Sequence, residues 1–117
     1  MIKYILTKYD SFYSKKKKSG VSKNYELMTL EHIHAEKNKT VIVKDNFVGL
    51  LGNLILMDES LNSSLGNKPF STKKPIYANS DVYIDDSIST KKSWTENDIL
   101  DRTVIIGEKL YNEVFKF

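Results

Sequence analysis

The chain has 117 residues, about one domain's worth and enough to bury roughly two-thirds of its unfolded surface in one core. Hydrophobic residues make up 40% and charged residues 28%, and no apolar run approaches the roughly 20 residues a membrane helix needs, which excludes a disordered or membrane-spanning chain. Cysteine is absent, which excludes disulfides, thiolate zinc sites and cysteine nucleophiles, so any metal is held by oxygen or imidazole.

Residues 1–10 mix Lys3 and Lys8 with apolar residues and offer no small-residue cleavage site, so a cytoplasmic location is expected. The net charge of +3 is modest, but lysines cluster at Lys15–Lys18, Lys73–Lys74 and Lys91–Lys92, as suits a phosphate backbone or merely solvated loops. Ile2, Tyr4, Ile5, Tyr9 and Phe12 give a mixed period that fits either a helix or a strand. Residues 14–23 hold four consecutive lysines and a Ser-Gly pair without an apolar anchor, which predicts a basic loop.

Residues 25–32 alternate as a strand would, with Tyr25, Leu27, Thr29 and Glu31 on one face. Val41–Val43 suggests a short strand turn, and residues 47–51 a helical turn stopped by Gly52. Residues 53–57 are apolar and suit a second, buried strand, after which residues 59–65 can be helical and end at Gly66-Asn67. Another helical turn is expected within residues 68–77, around Pro69 and Pro75, and a polar loop over residues 78–93. Thr95 with Asp98 has the form of a helix N-cap. A last helix follows over about 95–116, with two apolar rows: Ile99, Thr103, Ile106, Leu110 and Val114, and beside them Leu100, Val104 and Tyr111. No repeat or second domain is visible, so residues 1–117 read as one domain.

The two histidines stand together in Leu30-Glu31-His32-Ile33-His34. By itself a Glu-His pair at a strand end points no more to catalysis than to a solvated histidine. The second strand, however, opens on Asn53, and another asparagine, Asn62, follows nine positions later inside the short helix. Glu-His-Ile, then Leu-Gly-Asn-Leu, then Asn-Ser-Ser-Leu-Gly-Asn-Lys-Pro-Phe with a following lysine resembles the C-terminal nuclease domain of GmrSD-type modification-dependent restriction enzymes, a ββα-metal (His-Me finger, HNH) nuclease. The resemblance covers residues 25–77, with Trp94–Arg102 similar to the family's closing helix. It departs at Ala35, where the family commonly has proline, and at Asn62, where many HNH proteins have histidine.

The resemblance implies an α+β fold: a ββα-metal core over about 25–77, closed by the C-terminal helix. It implies that Glu31 and Asn62 bind one divalent cation, Mg2+ or Mn2+, that His32 activates water, and that Asn53 holds the loop between the strands and orients His32. Carboxylate and amide oxygens with water suit an octahedral site, and an imidazole of near-neutral pKa suits proton removal from water. His34 reads as a partly exposed residue packing on the strand end, as a third metal ligand or as a phosphate contact, and Lys68, Lys73, Lys74 and Arg102 are further candidates for touching nucleic acid. Arg102 has an equally good alternative, an interior ion pair. The implied function is DNA endonuclease activity in defence against foreign DNA, working with a separate or fused nucleotide-hydrolysing sensor domain, since this chain has no phosphate-cradling glycine loop. The other readings are an inactive nucleic-acid-binding or interaction module on the same scaffold and a ribonuclease toxin.

Overall fold

A computed structural model describes residues 2–17, 25–35 and 43–114 of the chain, so the basic segment 18–24 and the residues Val41 and Ile42 lie outside the described residues. The order is α1 (Ile2–Lys17), a 3-10 turn (Tyr25–Leu27), β1 (Met28–His32), α2 (Asp45–Val48), a second 3-10 turn (Leu51–Asn53), β2 (Leu54–Asp58), α3 (Glu59–Leu65), α4 (Phe70–Ala78), α5 (Asp86–Ser89) and α6 (Glu96–Lys109), which runs on as a π turn (Leu110–Val114). The architecture is α+β, helices packed around a small sheet.

The sheet is an antiparallel ribbon in which Met28 faces Asp58, Glu31 faces Ile55 and His32 faces Leu54. A two-stranded ribbon is marginal alone, so its faces must be covered. Leu54, Ile55, Leu56 and Met57 are all buried, which requires cover on both sides and explains why this strand reads as a continuous apolar run rather than an alternating one. Helix α3 leaves β2 directly, and Gly66 closes it at φ +47°, a left-handed conformation that favours glycine.

One open reading is decided, as a helix, and several expectations are corrected. The N-terminal element is a helix, its buried residues Leu6, Tyr9, Asp10 and Tyr13 falling at helical spacing, and it takes in Ser14–Lys17 of the expected loop. Gly52 does not stop a helix: α2 ends at Val48, and Gly52 lies inside the following 3-10 turn, pressed on α6 so closely that a Cβ would stand 2.0 Å from Ile99 O. The polar stretch after α4 contains the single-turn helix α5.

Helix α6 starts as expected, with Thr95 N donating to Asp98 Oδ2 at 2.8 Å and Thr95 Oγ1 accepting from Asp98 N at 3.4 Å. Ile99, Arg102, Ile106 and Leu110 face the core, but the second apolar row, Leu100, Val104 and Tyr111, is exposed, so the buried face is narrower than expected. Among the described residues no helix is long and apolar enough to cross a membrane.

Candidate functional site

Adjacent residues of a strand point to opposite faces, so Glu31 and His32 flank the end of β1 rather than stacking on one side of it. Glu31 shares its face with Thr29, and Thr29 meets α3: Asn62 Nδ2 donates to Thr29 Oγ1 at 2.6 Å and to the Leu30 carbonyl at 3.0 Å. Residues two apart on a strand are about 6.7 Å apart and share a face, so Asn62 is anchored on the face of the ribbon that also bears Glu31. Both amide hydrogens of Asn62 are thereby committed to β1, which turns its Oδ1 away from these partners.

Glu31 is buried at 3% exposure, and two groups from α4 meet it on the same oxygen. Tyr77 donates its hydroxyl to Glu31 Oε2 at 2.5 Å, and Lys73 Nζ stands 3.1 Å from that atom. Lys73 also donates to the His32 carbonyl at 2.7 Å. The two residues are four apart on α4 and so project from one side of it. Burial first, and then the Glu31 charge, pushes the Tyr77 hydroxyl far above its ordinary pKa, so it stays a donor. The His32 side chain is half-buried, and among the described residues its ring has no hydrogen-bond partner.

Asn53 is fully buried and uses all four of its amide hydrogen-bonding positions. Its Oδ1 accepts from His34 N at 2.9 Å and from Trp94 Nε1 at 3.0 Å, and its Nδ2 donates to His34 O at 3.1 Å and Val48 O at 2.9 Å. The Asn53 carbonyl also accepts from Ile33 N at 2.9 Å. The chain leaving β1 is thus clamped directly after His32. Trp94 is part of that clamp through its indole N–H.

The remaining candidates divide by burial. Lys68 is exposed after the turn that ends α3. Lys74 is half-buried and donates to Lys91 O at 2.5 Å. His34 is buried at 6% exposure instead of partly exposed. Lys73 is fully buried against Glu31, so it cannot double as a surface contact for phosphate. Arg102 makes the interior pair: at 2% exposure its Nε lies 3.3 Å from Asp85 Oδ1, and its Nη1 donates to Gly52 O at 3.0 Å and Leu54 O at 2.8 Å. A buried row Phe70, Lys73, Tyr77 at helical spacing is the signal that would have turned Lys73 inward.

Among the described residues no three His, Cys, Asp or Glu side chains gather as a metal cluster. Glu31 and His32 stand at the end of β1, and Asn62 of α3 is anchored to the same strand at Thr29 and Leu30. No curated protein sequence matches the chain. A family model described as GmrSD restriction endonucleases, C-terminal domain, matches residues 1–109, and the chain belongs to that family.

Proposed function

We propose that this chain is a His-Me finger nuclease domain that hydrolyses DNA phosphodiester bonds, with His32 as general base and a divalent cation, Mg2+ or Mn2+, held by Glu31 and Asn62. Family membership implies nuclease activity on DNA. The observation that carries the finer reading is the anchoring of Asn62: with both amide hydrogens held by Thr29 and Leu30, its oxygen is left for a cation on the ribbon face that also bears Glu31.

The donor set fits the ion. Mg2+ takes oxygen ligands, keeps several waters and is commonly held by one or two protein groups together with substrate phosphate, so one carboxylate and one amide oxygen suffice. Such an ion supplies charge stabilisation at the scissile phosphate and the leaving oxygen. His32 takes a proton from water, the water oxygen bonds to phosphorus, and the bond from phosphorus to the leaving oxygen breaks, that oxygen taking up a proton from solvent while His32 gives its own back to solvent. Asn53 serves by position: clamping residues 33 and 34 fixes the main chain from which the imidazole projects.

Lys68 and Lys74 are retained as contacts for the DNA backbone, a sequence-independent role. We further place the domain in the cytoplasm, in defence against foreign DNA, acting with a separate or fused nucleotide-hydrolysing sensor.

The test is cleavage of a plasmid and of an RNA of similar length, with Mg2+ or with excess EDTA, by the wild type, His32→Ala and Asn62→Ala. DNA cleavage should need the metal and be lost in both variants. His32→Ala should cost about 1 kcal/mol of stability or less, because the ring fills no deep core position. Undiminished cleavage in EDTA would remove the metal, and wild-type cleavage by His32→Ala would remove the base.

A further inference from the structure

Lys73 has no exposed side-chain surface, which is unusual for an ammonium group. A buried ammonium needs acceptors for its donors and a nearby negative charge. Both come from the dyad, the Glu31 carboxylate at 3.1 Å and the His32 carbonyl at 2.7 Å. Tyr77 adds its hydroxyl to the same Glu31 oxygen at 2.5 Å. The negative charge of Glu31 is therefore matched before any second cation arrives, and the matching charge cannot be washed away by solvent.

We infer that Lys73 is an internal counter-cation of Glu31, a positioning residue that keeps the affinity of the candidate metal site low while holding the carboxylate and the His32 main chain in place. The inference rests on the reading of Glu31 as a metal ligand. A divalent ion on Glu31 has a fixed positive charge on the far side of the carboxylate, and in a water-poor setting like charges at that range repel strongly. An arginine in place of Lys73 keeps that charge. Methionine keeps much of the apolar stem and removes it, leaving Glu31 with Tyr77 as partner and an unmatched charge that a metal ion can match instead.

The experiment measures binding of Mn2+ alone, by electron paramagnetic resonance at fixed pH, to wild type, Lys73→Met, Lys73→Arg and Glu31→Gln, with thermal melts at matched Mn2+ concentrations. Lys73→Met should bind Mn2+ about tenfold tighter or more, since removal of a unit charge next to a double charge is worth at least that factor. It should melt lower than the wild type without metal and gain more from Mn2+, because at one metal concentration a tighter-bound ion stabilises the folded state more. Lys73→Arg should bind as the wild type does. A merely structural lysine would give weaker or equal Mn2+ binding in Lys73→Met, and that result overturns the inference. Unchanged binding in Glu31→Gln would instead overturn the functional reading, whatever Lys73 does. Should Lys73→Met fail to fold, the wild type decides: the ammonium resonance of Lys73, identified by its loss in Lys73→Arg, must shift as Mg2+ is added, and a resonance that does not move refutes the inference.

Discussion

Replacing Arg102 by methionine keeps an apolar stem and removes the guanidinium from a position only 2% exposed. Asp85, 1% exposed, then keeps among the described residues only the Tyr9 hydroxyl at 2.8 Å on its carboxylate, and the carbonyls of Gly52 and Leu54 lose the Nη1 donor. Breaking a buried pair from one side costs about 3–5 kcal/mol, and each carbonyl left without its bond adds about 1 kcal/mol. Because Tyr9 still holds Asp85, the pair costs the lower part of that range, about 3 kcal/mol, and the two carbonyls bring the loss to about 5 kcal/mol. A chain of this length has roughly 6–18 kcal/mol in all, so the loss is a large share of it. With a urea dependence of about 2 kcal/mol per molar, the unfolding midpoint should fall by about 2.5 M. Adding Asp85→Asn removes the stranded charge while leaving Tyr9 an acceptor, so the double variant should recover part of the loss. A single variant costing under about 1 kcal/mol, or a double variant no better than the single, would refute the interior-pair account. DNA affinity per folded molecule should not change.

Asn53→Asp removes the donors to His34 O and Val48 O and puts a carboxylate at a fully buried site; a loss of about 3 kcal/mol or more is expected in thermal melts, with cleavage falling even where the variant is folded. Gly52→Ala sets a Cβ 2.0 Å from Ile99 O and 2.7 Å from Thr103 N, both main-chain atoms of α6, so it should cost about 3 kcal/mol or more; an unchanged denaturation midpoint would show that the turn is free to move. Above pH 10 stability should fall. Burial first, and then Asp85 and Glu31 respectively, raise the Tyr9 and Tyr77 hydroxyls above their ordinary value, so their contribution is complete below about pH 10 and is lost as pH rises from there toward the folded-state values. Each contributes a slope of about 1.4 kcal/mol per pH unit, and urea midpoints flat between about pH 9 and 11 would contradict this.

What the sequence discloses follows from how local the cause is. The helix Glu59–Leu65 is legible because Gly66 can take φ +47°, and the start of α6 because its cap closes within three residues. The second strand is legible because four successive buried residues leave an apolar run. The buried charges are not legible in the same way. Lys73 stands in a Lys-Lys pair that reads as solvated, and only the phase of α4, with Phe70 and Tyr77 on the same side, turns it toward a carboxylate on β1. Leu100, Val104 and Tyr111 err in the opposite direction: their period is that of a core face, and only the tertiary arrangement leaves them outside. Of the site, the residue types and their order are legible through the family resemblance, while the Asn62 anchor and the Trp94 bond depend on contacts 33 and 41 residues apart.

The two buried ion pairs share a feature that stability alone does not explain. Lys73 donates to the His32 carbonyl, and Arg102 donates to the carbonyls of Gly52 and Leu54, residues that face or precede the same end of the ribbon. A two-stranded ribbon has no third strand there to supply donors, and a carbonyl without a bond in the interior is costly. Apolar side chains of similar volume often equal a buried ion pair in stability, but they cannot donate. Each cation therefore does two things at once, neutralising an acid and fixing main chain at the place where β1 and β2 meet their turns. Asn53, at the end of the turn before β2, completes that fixation by holding the segment that follows β1. Glu31, Lys73, Asn53 and Arg102 thus converge on the end of the ribbon from which the His32 ring projects, and on the proposed reading they hold still the main chain that carries the proton acceptor, which apolar packing by itself could not do.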